Sequence, residues 1–374
     1  MFKRRILIVD DSVVIRRSLT DALSRESDLE VVGSAPSGRV ALMKIAIARP
    51  DVVALDAEMP EMDGLETLAV LRKDYPQISV IMLNISTDQA VAKTLDALTL
   101  GARDYVSKPN IGPGFDDGLR TVASELASKI RVCCPDISHD NLAPGPKELI
   151  RGGKLSHSST TTDLSERVDV LAIAVSTGGP NALMELIPQF PADFPVPILI
   201  VQHMPPVFTK LLAERLAAKC KISVTEGVSG QELFPGGAWI APGDLHMAIA
   251  KERDTIRILT NQDAPENSCR PAADVLFRSV AAVYRSHVLA VVMTGMGQDG
   301  LRGCQQIHSA GGQVLVQDEA SSVVWGMPSF VVKAGIVDRI LPLHDLGTEI
   351  LNRVWKFRSE KRTGVGGRPV GVRS

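Results

Sequence analysis

The 374-residue chain has no surplus of either charge: 41 Lys and Arg stand against 43 Asp and Glu, a net of −2 with histidine neutral. Without a basic field it lacks the general attraction for nucleic acid or anionic lipid on which coating proteins rely. No apolar run approaches the roughly 20 residues that cross a bilayer. The apolar stretch at residues 6–9, ahead of two aspartates, is too short for a signal-peptide core. The reading is a cytoplasmic monomer with no nucleic-acid partner and no direct membrane insertion. Cysteine is sparse too: Cys133, Cys134, Cys220, Cys269 and Cys304 are odd in number, scattered and without C-x-x-C spacing. That argues against a disulfide framework and against a zinc site. Internal repeats at a solenoid period are also missing.

Hydrophobic residues make up 45% of the chain and charged residues 22%, enough apolar material for a core in each of two domains. Over residues 1–125, short β-branched runs at 5–9, 30–34, 52–55, 79–83 and 104–106 alternate with helix-length amphipathic stretches, which predicts a parallel sheet covered by helices. Over 126–166 the periodicity gives way to Pro, Gly, Ser, Thr and His, and this span reads as a linker. Strand-like runs resume at 170–175, 197–201, 238–240, 287–293 and 313–316, with a helix over 208–219, and a second α/β domain is expected over 167–358. The basic, Gly-rich stretch 359–374 reads as a disordered tail. The fold class is α/β: two doubly wound parallel sheets, flavodoxin-like and then Rossmann-like.

Ligands of parallel sheets collect at the carboxyl ends of the strands. In the first domain that edge receives Asp10 and Asp11, then Asp56, then Asn84 and Ser86, then Lys108 with Pro109. Three carboxylates at one edge repel each other unless a cation sits among them, and a hard divalent ion such as Mg²⁺ suits oxygen ligands. A lysine at the same edge suits an anion. Together they describe an aspartate nucleophile facing a phosphoryl donor. Singly, Asp10 and Asp11 read equally well as helix caps and Lys108 as a solvated surface residue. The combination, with EMPEMDGLE following Asp56, resembles the receiver domain of two-component response regulators. The resemblance implies phosphorylation of Asp56 by a histidine kinase. It also implies Mg²⁺ held by Asp11, Asp56 and the Glu58 carbonyl, with Asp10 assisting and Lys108 on the phosphoryl group. Asn84 stands where that family usually has a Thr or Ser switch hydroxyl.

In the second domain, Ser176 follows VLAIAV, His203 follows ILIVQ, and Asp299 lies in MTGMGQDG after HVLAVV. A hydroxyl, an imidazole and a carboxylate at strand ends are the parts of a nucleophilic triad. The G-x-S-x-G elbow is absent and the chain order differs from that of the α/β-hydrolases. The glycines after Ser176 suit a tight turn into a helix, with the backbone N–H groups of Thr177 and Met296 as oxyanion candidates. Other readings of the same residues are a phosphate-binding turn, a helix cap at Ser176 and a turn residue at Asp299. The phosphate turn lacks the lysine and spacing of a P-loop.

The strings STGGP, QHMPP with FTKLLAERL, AWIAPGDLHM, CRPAADVLF, MTGMGQDG and DEASSVVWGMP occur in that order over 176–328. This resembles the catalytic domain of the chemotaxis protein-glutamate methylesterases and glutamine deamidases. The resemblance implies that Ser176 attacks methyl esters of receptor glutamates, with His203 as general base and Asp299 orienting it. It further implies esterase chemistry without a cofactor, controlled by Asp56 phosphorylation relieving a block by the receiver. Partners would be methyl-accepting chemotaxis receptors and the chemotaxis histidine kinase, and the output sensory adaptation. His246 could pass for the base, but QHMPP favours His203. Ala174, Val175 and Val207 are bulkier than the family's usual residues, which points to a narrowed groove or a change in the receptor used. With Asn84 they motivate an alternative, a phosphorylation-dependent adaptor whose esterase domain is idle.

Overall fold

A computed structural model describes residues 3–84, 87–109, 115–134 and 167–363. The first unit alternates strand and helix: β1 (Arg4–Val9), α1 (Val13–Leu23), β2 (Leu29–Ala35), α2 (Gly38–Ala48), β3 (Val52–Asp56), α3 (Gly64–Asp74), β4 (Ser79–Asn84), α4 (Asp88–Leu100), β5 (Asp104–Ser107) and α5 (Phe115–Cys133). Its sheet is entirely parallel in the order β2-β1-β3-β4-β5. Helix starts follow from local chemistry. The Ser12 hydroxyl accepts the Ile15 N–H, and Asp63 with Glu66 forms a reciprocal capping box at α3.

The second unit holds β6 (Val170–Val175), α6 (Gly179–Leu186), β7 (Ile198–Gln202), α7 (Pro206–Lys219), β8 (Ser223–Glu226), β9 (Gly237–Ile240), β10 (His246–Glu252), β11 (Thr255–Asn261), α8 (Ala273–Tyr284), β12 (Val288–Val292), α9 (Leu301–Ser309), β13 (Gln313–Gln317), α10 (Met327–Lys333), β14 (Arg339–Leu341) and α11 (Leu343–Thr363). Seven strands make a parallel sheet in the order β14-β13-β12-β6-β7-β9-β8, and β10 and β11 form a separate antiparallel hairpin. The central strands β3, β6 and β12 are buried at every position, as expected for strands covered on both faces.

Both expected doubly wound sheets are present. The sequence reading passed over β8, β14 and the hairpin, because β8 is a mostly polar edge strand (SVTE), β14 has only three residues, and the hairpin interrupts the strand–helix alternation. α5 continues past residue 125 to Cys133, held by Leu126, Ala127 and Ile130 in the core, so the span read as linker opens inside a helix. Likewise α11 runs to Thr363, beyond residue 358. The rest of the linker span and the stretch 364–374 lie outside the described residues. Among the described residues, no helix is long and apolar enough to cross a membrane. One apolar cluster runs from the first sheet through Leu95, Leu98 and Tyr105 into Phe208 and Leu212 of the second unit, so the two units share apolar packing at their seam.

Candidate active site and phosphoacceptor site

In each sheet the chain reverses its direction of winding at one pair of neighbouring strands, and the crevice there is the expected ligand site. In the first sheet the pair is β1 and β3. Asp10 and Asp11 follow β1, Asp56 ends β3, and carboxylate oxygens of all three lie within 4.8 Å of one another. Asp10 and Asp56 are buried and Asp11 is exposed. The Lys108 ammonium lies 2.7 Å from Asp56 and 3.1 Å from Asp10. Burial pushes the Asp56 pKa up to about 6, with Lys108 opposing it, and raises that of Asp10 as well. Burial acts to lower Lys108, but the two carboxylates outweigh it and the net shift is upward. The Glu58 N–H donates to Asp56 at 3.4 Å, while its side chain faces Lys93 at 4.0 Å. Asn84 is buried at the same edge, opposite Ser107 in register. Among the described residues, neither its amide atoms nor the Ser107 hydroxyl has a hydrogen-bond partner. Ser86 lies outside the described residues.

In the second sheet the reversal falls between β6 and β12. Ser176 leaves β6, His203 leaves neighbouring β7, and Asp299 sits in the loop from β12 to α9. His203 Nε2 lies 2.7 Å from Asp299 Oδ2. The same carboxylate caps buried N–H groups at the start of α8 that have no partner within the helix, accepting from Ala273 at 2.6 Å and Asp274 at 3.1 Å, and from the Asn267 amide at 2.9 Å. Burial, the largest single influence, pushes Asp299 up. The His203 hydrogen bond and charge, with the two backbone N–H groups, outweigh it and hold the carboxyl below its ordinary value. For His203, burial acts downward, yet Asp299 and the nearby Cys269 together raise its pKa to about 10.

The Ser176 backbone is fixed on three sides: its N–H donates to Thr294, and its carbonyl accepts from Gly179 at 2.8 Å and Gln202 at 3.0 Å. Two glycines make this possible. Gly178 adopts φ +78°, and a Cβ on Gly295 would lie 2.7 Å from the Ser176 Cβ. Among the described residues the Ser176 hydroxyl makes no hydrogen bond. Ser176, His203, Thr177 and Met296 line one cavity of about 790 Å³. His246 is buried and committed elsewhere: its Nδ1 accepts the Ala272 N–H at 3.2 Å, leaving Nε2 to donate to the Ala264 carbonyl at 3.1 Å. Sequence reasoning did not single out Asn267 or Asp274, because both lie in loop and helix-start positions whose roles appear only when α8 meets Asp299.

The first unit supplies the far wall of this cavity, through α5 side chains including Ser124, Glu125 and Lys129. The Thr177 hydroxyl donates to Asp104 of β5 at 2.7 Å, Asn181 donates to the Leu98 carbonyl at 2.6 Å, and Arg215 reaches Asp96 at 2.7 Å. Tyr105 stacks on Phe208 with ring centroids 4.3 Å apart.

The groove-narrowing expectation is corrected. Ala174 and Val175 are fully buried strand residues whose side chains enter the two core layers, and Val207 packs against the core from its edge. Their bulk goes into packing. The argument from groove bulk for an idle esterase domain therefore falls away, and the adaptor alternative is not favoured.

Residues 6–113 match the response regulator receiver domain family and residues 171–350 the CheB methylesterase family. The chain is 51% identical to a protein-glutamate methylesterase/protein-glutamine glutaminase of Trichodesmium erythraeum, over 95% of this chain and the whole of that protein. It is 44% identical to the protein of the same name from a Nocardioides species, over 95% of this chain and 96% of that one. Among solved structures it is similar to the CheB methylesterase catalytic domain of Thermotoga maritima, with 38% identity, a TM-score of 0.49, and coverage of 50% of this chain and 98% of that one. With receiver and methylesterase regions in one chain and relatives matched along almost its full length, the chain belongs to the protein-glutamate methylesterase/protein-glutamine glutaminase family.

Proposed function

We propose that the chain is a phosphorylation-controlled hydrolase that demethylates glutamate methyl esters, and deamidates glutamines, on methyl-accepting chemotaxis receptors, giving sensory adaptation. The observation that carries this reading is the His203–Asp299 pair at 2.7 Å, whose His203 lines the same cavity as Ser176. The Ser176 hydroxyl attacks the ester carbonyl and passes its proton to His203. With Nε2 committed to Asp299, Nδ1 is the nitrogen that takes it, and Asp299 stabilises the imidazolium. The N–H groups of Thr177 and Met296 receive the developing oxyanion. His203 returns the proton to the departing methoxide, methanol leaves, and water hydrolyses the acyl-serine to free glutamate. A glutamine follows the same course with ammonia leaving.

Residues 1–125 supply the control. A chemotaxis histidine kinase is the proposed phosphodonor and Asp56 the acceptor, with Asp10 assisting and Asn84 as the switch residue. Three carboxylates with oxygen atoms within 4.8 Å fit a hard divalent cation. Asp11, Asp56 and the Glu58 carbonyl would hold Mg²⁺, which when bound offsets the charge of the incoming phosphoryl group. Lys108, already paired with Asp56, then turns to a phosphoryl oxygen. In the resting chain α5 forms one wall of the Ser176 cavity. A receptor helix, about 10–12 Å across with its side chains, needs that wall moved aside, and phosphorylation at Asp56 supplies the movement.

The test is methanol release from methylated receptor membranes by the native chain, by Ser176→Ala, and by the native chain with Mg²⁺ and a small phosphodonor. Release that rises with phosphodonor and vanishes in Ser176→Ala supports the reading. Equal silence of all three, with Asp56 still taking up phosphate, defeats it.

A further inference from the structure

Two buried carboxylates, Asp274 and Asp299, share one side-chain amide. The Asn267 Nδ2 donates to Asp299 at 2.9 Å and to Asp274 at 3.0 Å, so its two hydrogens serve one carboxylate each. Asp274 is 1% exposed, and its other oxygen accepts the Gly303 N–H at 2.7 Å. Asn267 is placed by a tight turn: Glu266 and Cys269 exchange two backbone hydrogen bonds of 3.1 and 2.9 Å, and the central residues Asn267 and Ser268 have φ of 53° and 62°. Two positive φ values in succession define a type I′ turn, which asparagine tolerates and serine does not favour. Arg278 of α8 holds the turn by a two-pronged bond to Glu266, 2.6 Å on each prong.

Resting on the hydrolase reading, we propose that Asn267 is a positioning residue for the triad: its amide holds Asp299 in place and separates its charge from that of Asp274, and the two together set the proton affinity of His203. The sign of each contribution follows from charge. The amide hydrogens bring positive potential beside Asp299, which disfavours the His203 imidazolium. The Asp274 carboxylate brings negative potential, which favours it. Other charged or titratable groups nearby are Cys269 against His203, Lys129 and Glu125 of α5 on the cavity wall, and Glu266 with Arg278 behind the turn. Burial holds the Asp274 carboxyl above its ordinary value, with the charge of Asp299 adding to the shift, consistent with a pair that needs a shared donor.

The experiment compares the native chain with Asn267→Gly, which keeps the positive φ but loses the amide, and with Asp274→Asn. The expected result for Asn267→Gly is a kcat about tenfold lower, with KM within about twofold. The acid limb of its pH–rate profile moves up by roughly half a unit, and that of Asp274→Asn moves down. A purely structural role does not produce shifts of opposite sign. A raised KM with unchanged kcat, or limbs that move in the same direction, overturns the proposal. NMR titration of the His203 imidazole in the same three proteins reads the opposed shifts without turnover. Opposed NMR shifts in a protein that releases no methanol would sink the hydrolase reading and leave the positioning role standing.

Discussion

Asp56 and Asp299 occupy equivalent places, each beside the reversal point of its own parallel sheet, yet their surroundings move their proton affinities in opposite directions. Asp56 is buried against one lysine and a neighbouring carboxylate, and its pKa rises to about 6. Asp299 is just as buried, but it accepts from two helix-terminal N–H groups and an amide while facing an imidazole, and its pKa falls. Fixed N–H dipoles satisfy a carboxylate permanently and leave it no free lone pair to attack with. A single ammonium neutralises it in a way that a phosphoryl group and a cation can replace. One arrangement suits the orienting carboxylate of the proposed function, the other its exchangeable acceptor, and topology alone does not distinguish them.

The sharpest way to break the comparison is to remove the charge of Asp299 while keeping its shape. Asp299→Asn is expected to lower kcat by about three to four orders of magnitude on methylated receptor membranes, as the loss of the carboxylate behind a catalytic histidine does. The pH dependence gives the sign. Asp299 and Cys269 hold His203 above its ordinary 6.5, up to about 10, so the native acid limb lies to the alkaline side of 6.5. In Asp299→Asn burial becomes the stronger influence, and the limb moves toward or below 6.5. The stabilising contribution of the pair follows the same rule: it is present in full below 6.5 and is lost as pH rises through the folded value. An acid limb that stays put in the variant would show that Asp299 does not set the base.

A smaller effect is expected where the two regions meet. Asp104 accepts the Thr177 hydroxyl next to Ser176 and also pairs with Lys129 at 3.2 Å. Asp104→Ala removes the first contact without stranding the lysine, which keeps Glu125 at 3.0 Å. Losing about 1 kcal/mol of closing energy should raise methanol release in the absence of phosphodonor by about fivefold and reduce the further gain on phosphorylation by a similar factor. Unchanged basal release would mean that this bond does not hold the closed arrangement.

Most of the strand ends could be read in the sequence because short β-branched runs such as VLAIAV and VVALD, alternating with helix-length amphipathic stretches, suit strands covered on both faces. Ser176, His203, Asp56 and Lys108 follow those runs directly, so their placement came with the strands. What could not be read depends on contacts between distant segments. Asn267 lies 32 positions from the carboxylate it serves, in a turn whose two left-handed residues leave no periodic signal. The bulk of Val175 looked like a groove feature because alternation along a doubly covered strand does not say which layer lies nearest the site. The donation from Thr177 to Asp104 spans 73 positions and two sheets.

The finest test concerns Asn84, where the two regions are linked through β4 and β5 more than through the site chemistry. Its amide is buried with both polar atoms unpartnered among the described residues, and it sits opposite Ser107, one residue from Lys108 and two from Tyr105 on the interface strand. An unsatisfied buried amide is poised to pair with a newly arrived phosphoryl oxygen, and doing so would draw on the strand that carries Tyr105. Asn84→Thr replaces two unmet groups with one hydroxyl of shorter reach. Thermal midpoints should therefore shift by no more than the equivalent of about 1 kcal/mol. Phosphate uptake at Asp56 should persist, and the phosphodonor-dependent gain in methanol release should change by about twofold. A gain identical to that of the native chain would show that Asn84 takes no part in carrying the signal to Tyr105, and would leave β5 to respond to Lys108 alone.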